Sequence, residues 1–165
     1  MTPRILFVTH VAALGGAELY LRDAATLLRE RCAVAVFEDG PLVDSLMDRG
    51  VPTHVLQPDV SFHTVRKDSG FGAGLRALPA LVRTGRTLAH LAADYDLVFA
   101  NSQKSLLAGA VAARWARRPM IWNLHDLLTA EHFSALNRRV ATVAANWGTD
   151  LVLCNSEATE RAFRA

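Results

Sequence analysis

Two rhythms of apolar residues alternate along this chain. Short, largely apolar runs at residues 4–9, 33–38, 53–56, 97–100, 120–123 and 151–154 have the length of strands. The first of them, through Ile5-Leu6-Phe7-Val8-Thr9, has no polar alternation, which suits a strand covered on both faces of a parallel sheet. Between the runs the apolar positions take helical spacing, beginning with Ala17, Leu21, Ala24, Leu27 and Leu28. This predicts helices over 17–31, 41–49, 75–93 and 103–115, a helical region after the fifth strand up to 147, and a last helix from 156 onward. Pro41 at a first helical position and Gly50 just past the end frame the second of these. Residues 57–72 are polar and contain Pro58, Gly70 and Gly72. They form a longer connection than usual, a sign of a functional or mobile loop.

Six strands alternating with helices imply right-handed βαβ crossovers. The expected fold is a single α/β lobe: a doubly wound, Rossmann-like parallel sheet with helices on both faces and strand order 3-2-1-4-5-6. In such a sheet ligands bind beyond the carboxyl ends of the strands, at the switch between strands one and four. The residues falling there are His10 and Gly15-Gly16, Asn101-Ser102, His125-Asp126 and Asn155-Ser156. Polar groups thus gather on one rim of strands that are nearly all apolar.

Each of these residues has a structural reading beside the functional one. Gly15-Gly16 suits a loop that lets a ligand approach bare N–H groups at a helix start, and equally a plain tight turn. Ser102 and Ser156 suit helix N-caps, the stronger reading for Ser156. Asp126 could orient His125, but reads best as the cap of the helix that follows. Glu18, in the first helical turn, is accounted for by the helix dipole and is given a structural role. The glycines of Ser69-Gly70-Phe71-Gly72-Ala73-Gly74 follow a loop and not a strand, so they make no dinucleotide fingerprint; a flexible lip is the expectation.

The same stretches carry a family resemblance. Gly15-Gly16-Ala17-Glu18 after an apolar first strand, Asp96 to Ser102, Pro119 to Asp126 and Leu151 to Glu157 stand in order and at fitting spacing. Together they resemble the N-terminal, acceptor-side domain of family 4 (group 1) glycosyltransferases, enzymes of the two-lobed GT-B architecture. The resemblance covers nearly the whole chain. It implies transfer of a sugar from a nucleotide diphosphate sugar to a saccharide, lipid or small-molecule acceptor, usually with retention and without an essential metal. It implies that His125, the candidate catalytic residue, lines the donor-sugar pocket. It also implies that Gly15 and Gly16 leave backbone room beside the donor, with His10, Asn101, Ser102, Asp126 and Asn155 as further substrate contacts. Asn101 stands where relatives often carry a histidine, a departure that argues against acid/base work at that position. The donor-binding C-terminal lobe of such an enzyme has no counterpart in these residues. An isolated lobe, inactive by itself and completed by the missing lobe as partner, is therefore expected. The alternatives from other classes are a non-catalytic doubly wound binding module and half of a sugar-nucleotide epimerase.

Composition narrows the field further. The chain has 165 residues, 51% of them apolar, enough for one domain with a sizeable core. A net charge of +2 gives no warrant for nucleic-acid binding. Cys32 and Cys154 read as small apolar residues and not as a disulfide or metal pair. No Gly-x-Ser-x-Gly elbow, phosphate-binding Gly-Lys-Ser loop or zinc spacing is present. Without a signal sequence or an 18-residue apolar run, the expected location is the cytoplasm. The basic stripe of Arg76, Arg83 and Arg86 leaves a peripheral membrane contact open beside plain solvation.

Overall fold

The computed structural model describes residues 2–56 and 71–164, the side chains of 71–77 excepted. Strands β1 (Ile5–Thr9), β2 (Cys32–Val36), β3 (Thr53–Val55), β4 (Leu97–Ala100), β5 (Met120–Leu124) and β6 (Leu151–Cys154) form one sheet. Every pairing is parallel and the order is β3-β2-β1-β4-β5-β6, the doubly wound arrangement expected. The direction of winding reverses between β1 and β4, so the crevice of an open sheet belongs beyond Thr9 and Ala100.

The helices divide between the two faces by strand parity. Helices α1 (Gly16–Leu27) and α2 (Pro41–Met47) bury Leu21, Ala25, Leu42 and Leu46 against Phe7, Val34, Val36 and Phe99. Helices α3 (Phe71–Ala92), α4 (Gln103–Ala116) and α5 (Ala135–Gly148) cover the other face, where Leu6, Val8, Ala35, Val98, Met120 and Trp122 point. The short α6 (Glu157–Arg164) sets Phe163 edge-on to Trp122, with ring centroids 5.8 Å apart. Because successive side chains of a strand alternate faces, these near-continuous apolar strands are consumed by both layers.

Helix α4 lies in the middle of its layer and is built from small residues. A Cβ on Gly148 would stand 2.4 Å from the Cβ of Ala110, and one on Gly85 would stand 2.6 Å from Cγ1 of Val111. One on Gly109 would meet Cε of Met120 at 2.9 Å. Alanine and glycine there let α3, α5 and the sheet close on one helix at once.

Three expected boundaries move. The first helix ends at Leu27, and a 3₁₀ turn over Arg29–Arg31 leads into β2. The helix after β5 starts only at Ala135, capped by the Ser134 side chain, which accepts from the Asn137 amide. Buried Leu128 and Phe133 anchor the irregular segment before it, so packing overrides helical spacing there. Helix α3 begins at Phe71 and runs through Pro79. The end of the expected 57–72 loop and the Phe71–Gly74 part of the glycine run are therefore helical and make no lip. Residues 57–70 lie outside the described residues. Arg83 and Arg86 are exposed on α3. Among the described residues no helix is long and apolar enough to cross a membrane.

Candidate functional site

Helix α1 starts at its glycines. Gly15 is the N-cap, in extended conformation and with no side chain to cap the helix. The Gly15 amide donates to the Ala13 carbonyl oxygen at 3.1 Å, and Glu18, three residues on, turns its carboxylate towards the start of the helix. A Cβ on Gly15 would lie 2.8 Å from Glu18 Oε2, the mobile end of a side chain that can give way. Gly16 is different. A Cβ there would meet nothing within 4 Å. Packing makes no demand for a glycine at this exposed position, and the first turn presents open backbone at the rim.

The first turn of α1 is tied to the ends of β4 and β5 by side-chain amides. Asn101, buried just past β4, donates from Nδ2 to the carbonyl oxygen of Ala17 at 2.9 Å. Asn123, buried within β5, donates from Nδ2 to Asn101 Oδ1 at 3.0 Å. His125 completes the group. Its Nε2 lies 2.7 Å from Asn123 Nδ2 and 3.1 Å from Asn101 Oδ1. Tyr20, one turn along α1, meets the imidazole edge-on with centroids 5.7 Å apart. Gly16 and His125, more than a hundred residues apart in sequence, thus belong to the same end of the sheet.

Burial holds the His125 pKa below its ordinary value, opposed by the negative charge of Asp126. Glu18 shifts upward, chiefly through burial and against its backbone hydrogen bonds, with Asp126 adding repulsion. Asp126 therefore acts on both groups from its exposed position. The expected capping role of Asp126 fails, because no helix begins until Ala135.

A second pair sits beside the first. His10 Nδ1 lies 2.7 Å from Ser102 Oγ. Ser102 caps α4 by accepting from the Ser105 amide at 3.2 Å, and Ser105 Oγ accepts from the Ser102 amide at 2.8 Å. Ser102 is thus a cap and a partner of a rim histidine together. At the far strand Asn155 accepts at Oδ1 from Thr159 Oγ1 at 2.7 Å, and Ser156 accepts from the Thr159 amide at 3.1 Å. Both side chains serve the start of α6, while the Asn155 amide donates to the Leu124 carbonyl oxygen beside His125 at 3.4 Å.

Sequence reasoning missed Asn123 and Tyr20. Asn123 could have been found as the one polar side chain of an apolar fifth strand; Tyr20 looked like any other helical aromatic. Cys32 and Cys154 are free thiols, as read, and burial pushes the Cys32 thiol up to about 11. Among the described residues no three His, Cys, Asp or Glu side chains stand together in a metal-binding group. A cavity of about 550 Å³ lined by Arg114, Arg117, Arg118 and Trp147 opens at the opposite end of the sheet, where β5 and β6 begin, and shares no residue with the rim.

The family model described as Glycosyltransferase Family 4 matches residues 14–165. The crystal structure of Anabaena HepE in complex with UDP-glucose is 36% identical over 99% of the chain, with a TM-score of 0.79. The chain spans 40% of the length of HepE. The apo form of the lipopolysaccharide outer core galactosyltransferase WaaB shares the fold at 13% identity and a TM-score of 0.65, over 98% of this chain and 42% of that one. MurG of Acinetobacter baumannii does so at 18% identity and 0.60, over 95% and 42%. Curated protein sequences hold no match to the chain.

Proposed function

Because the chain belongs to glycosyltransferase family 4, we propose that it forms the N-terminal, acceptor-side lobe of a two-lobed enzyme. That enzyme moves a sugar from a nucleotide diphosphate sugar to a saccharide, lipid or small-molecule acceptor. A second lobe, with most of the nucleotide contacts, faces the rim described above. One observation carries the reading: Gly16, unneeded by packing, opens the first turn that Asn101 ties to His125. The likeness to HepE, solved with UDP-glucose, supplies the ligand class.

In this reading the backbone at Gly16 leaves room for the phosphate end of the donor, where a helix start favours negative charge. His125 contacts the transferred sugar as a neutral donor and acceptor. His10, Ser102 and Asp126 extend the polar rim, and Asn101 holds the rim together without acid/base work. Reaction occurs with retention of configuration and without an essential metal.

The test is a transfer assay with a panel of nucleotide sugars and acceptors. A protein carrying this lobe and its partner lobe transfers sugar in the presence of a chelator. The 165 residues alone do not. Sustained turnover by the lobe alone, or loss of transfer on chelation, overturns this division of labour.

A further inference from the structure

The polarity of the hydrogen-bond chain on the rim is set at one end by a group with no choice. The Ala17 carbonyl oxygen can only accept, so Asn101 must present its NH₂ there, at 2.9 Å. Its Oδ1 then faces inward, towards Asn123 and His125. Asn123 in turn must present its NH₂, because an oxygen 3.0 Å from Asn101 Oδ1 would oppose two acceptors. That NH₂ has two hydrogens. One goes to Asn101 Oδ1, and the other points to His125 Nε2 at 2.7 Å.

We infer that Asn123 is a positioning residue that fixes His125 as the neutral tautomer with its lone pair on Nε2 and its proton on Nδ1. A protonated Nε2 would set two donors against each other at 2.7 Å. It would gain only the longer contact to Asn101 Oδ1, at 3.1 Å. The shorter contact decides. The orientation starts at the first turn of α1 and passes through two buried amides, 1% and 5% exposed, so water does not compete for these bonds.

The consequence for the proposed site, on which this part rests, is definite. His125 offers the sugar an N–H donor at Nδ1 and no formal positive charge. Burial, opposed by Asp126, holds the His125 pKa below its ordinary value, which favours the neutral ring. The charged and titratable groups facing it are Asp126 in the following loop and Tyr20 on α1, with Glu18 coupled to Asp126.

Nitrogen-15 NMR of the histidine-labelled 165-residue chain tests the inference, with His125→Ala identifying the resonances. The neutral His125 ring is expected to show a protonated Nδ1 and a bare Nε2. Asn123→Asp puts an acceptor where a donor stood while leaving Asp126, Glu18 and Tyr20 in place. It is expected to move the proton to Nε2 and raise the titration midpoint of His125. A wild-type ring protonated at Nε2 overturns the inference whether or not the variant folds. So does a folded Asn123→Asp variant that keeps the wild-type tautomer. Binding of UDP-glucose is read separately, on a protein that carries both lobes. The expected tautomer without binding supports this inference and counts against the donor-site reading. Binding with the opposite tautomer does the reverse.

Discussion

Gly15 and Glu18 exclude each other's freedom: a Cβ on Gly15 would stand 2.8 Å from Glu18 Oε2, whereas one on the adjacent Gly16 would meet nothing. The two glycines of one motif therefore answer to different demands. Gly15→Ala should displace only the flexible end of Glu18 and cost about 0.5 kcal/mol or less. Gly16→Val should leave stability within about 1 kcal/mol. In a two-lobed enzyme it should cut transfer at least tenfold, by filling the approach to the backbone. Thermal unfolding beside initial rates distinguishes them. Equal losses of stability and activity in Gly16→Val would reduce the motif to a turn.

Glu18 makes a second prediction. Burial first, and Asp126 last among its influences, raise its pKa. The folded state then holds the proton more firmly than the unfolded one, so this group's contribution is full at low pH and is lost as pH rises from the unfolded value through the folded value. Glu18→Gln keeps the shape of the side chain and removes the charge. At pH 7 it should be at least as stable as the parent, and that advantage should vanish on acidification. Chemical denaturation at pH 7 and pH 4 measures the difference. A deficit at pH 7 that shrinks on acidification would mean instead that the carboxylate itself stabilises the helix start.

His125 titrates in the opposite sense. Its depressed pKa means that the unfolded chain takes up the proton first as pH falls. Stability is therefore full above the unfolded pKa of about 6.5 and declines as pH falls from there through the folded pKa. His125→Gln should flatten that slope of stability against pH. In the complete enzyme it should reduce transfer much more than stability, since the ring is half-buried and most of the core is elsewhere. A pH slope identical in parent and variant would place the titration in another histidine.

The sheet was legible because its strands are apolar on both faces, so length and spacing alone separate them from helices. Strand order followed from chain reversal at a single switch. The rim was legible as a set of strand ends, which brought His10, Asn101, Ser102 and His125 to one place. The segment between His125 and Ala135 was not, since Leu128 and Phe133, five residues apart, anchor an irregular loop by burial that no periodic pattern marks. That error gave Asp126 a helix to cap that does not start there. Asn123 was passed over as the last residue of a strand. Its importance comes from pairing across β4 and β5, a relation between distant residues that no local pattern contains.

Ser102 and Ser156 offer a matched pair for the last prediction. Each caps a helix by accepting a backbone amide, at 3.2 Å from Ser105 and 3.1 Å from Thr159. Replacing either by alanine should cost about 1 kcal/mol, the usual value of a serine cap. Only Ser102 also lies 2.7 Å from His10 Nδ1. In a two-lobed enzyme Ser102→Ala should therefore weaken UDP-glucose binding several-fold beyond its effect on stability. Ser156→Ala should not, because its neighbours Asn155 and Thr159 are occupied with α6. Thermal unfolding and calorimetric binding on both variants provide the comparison. A Ser156→Ala variant that loses binding as strongly would extend the site to β6. A Ser102→Ala variant that loses only stability would confine Ser102 to its helix.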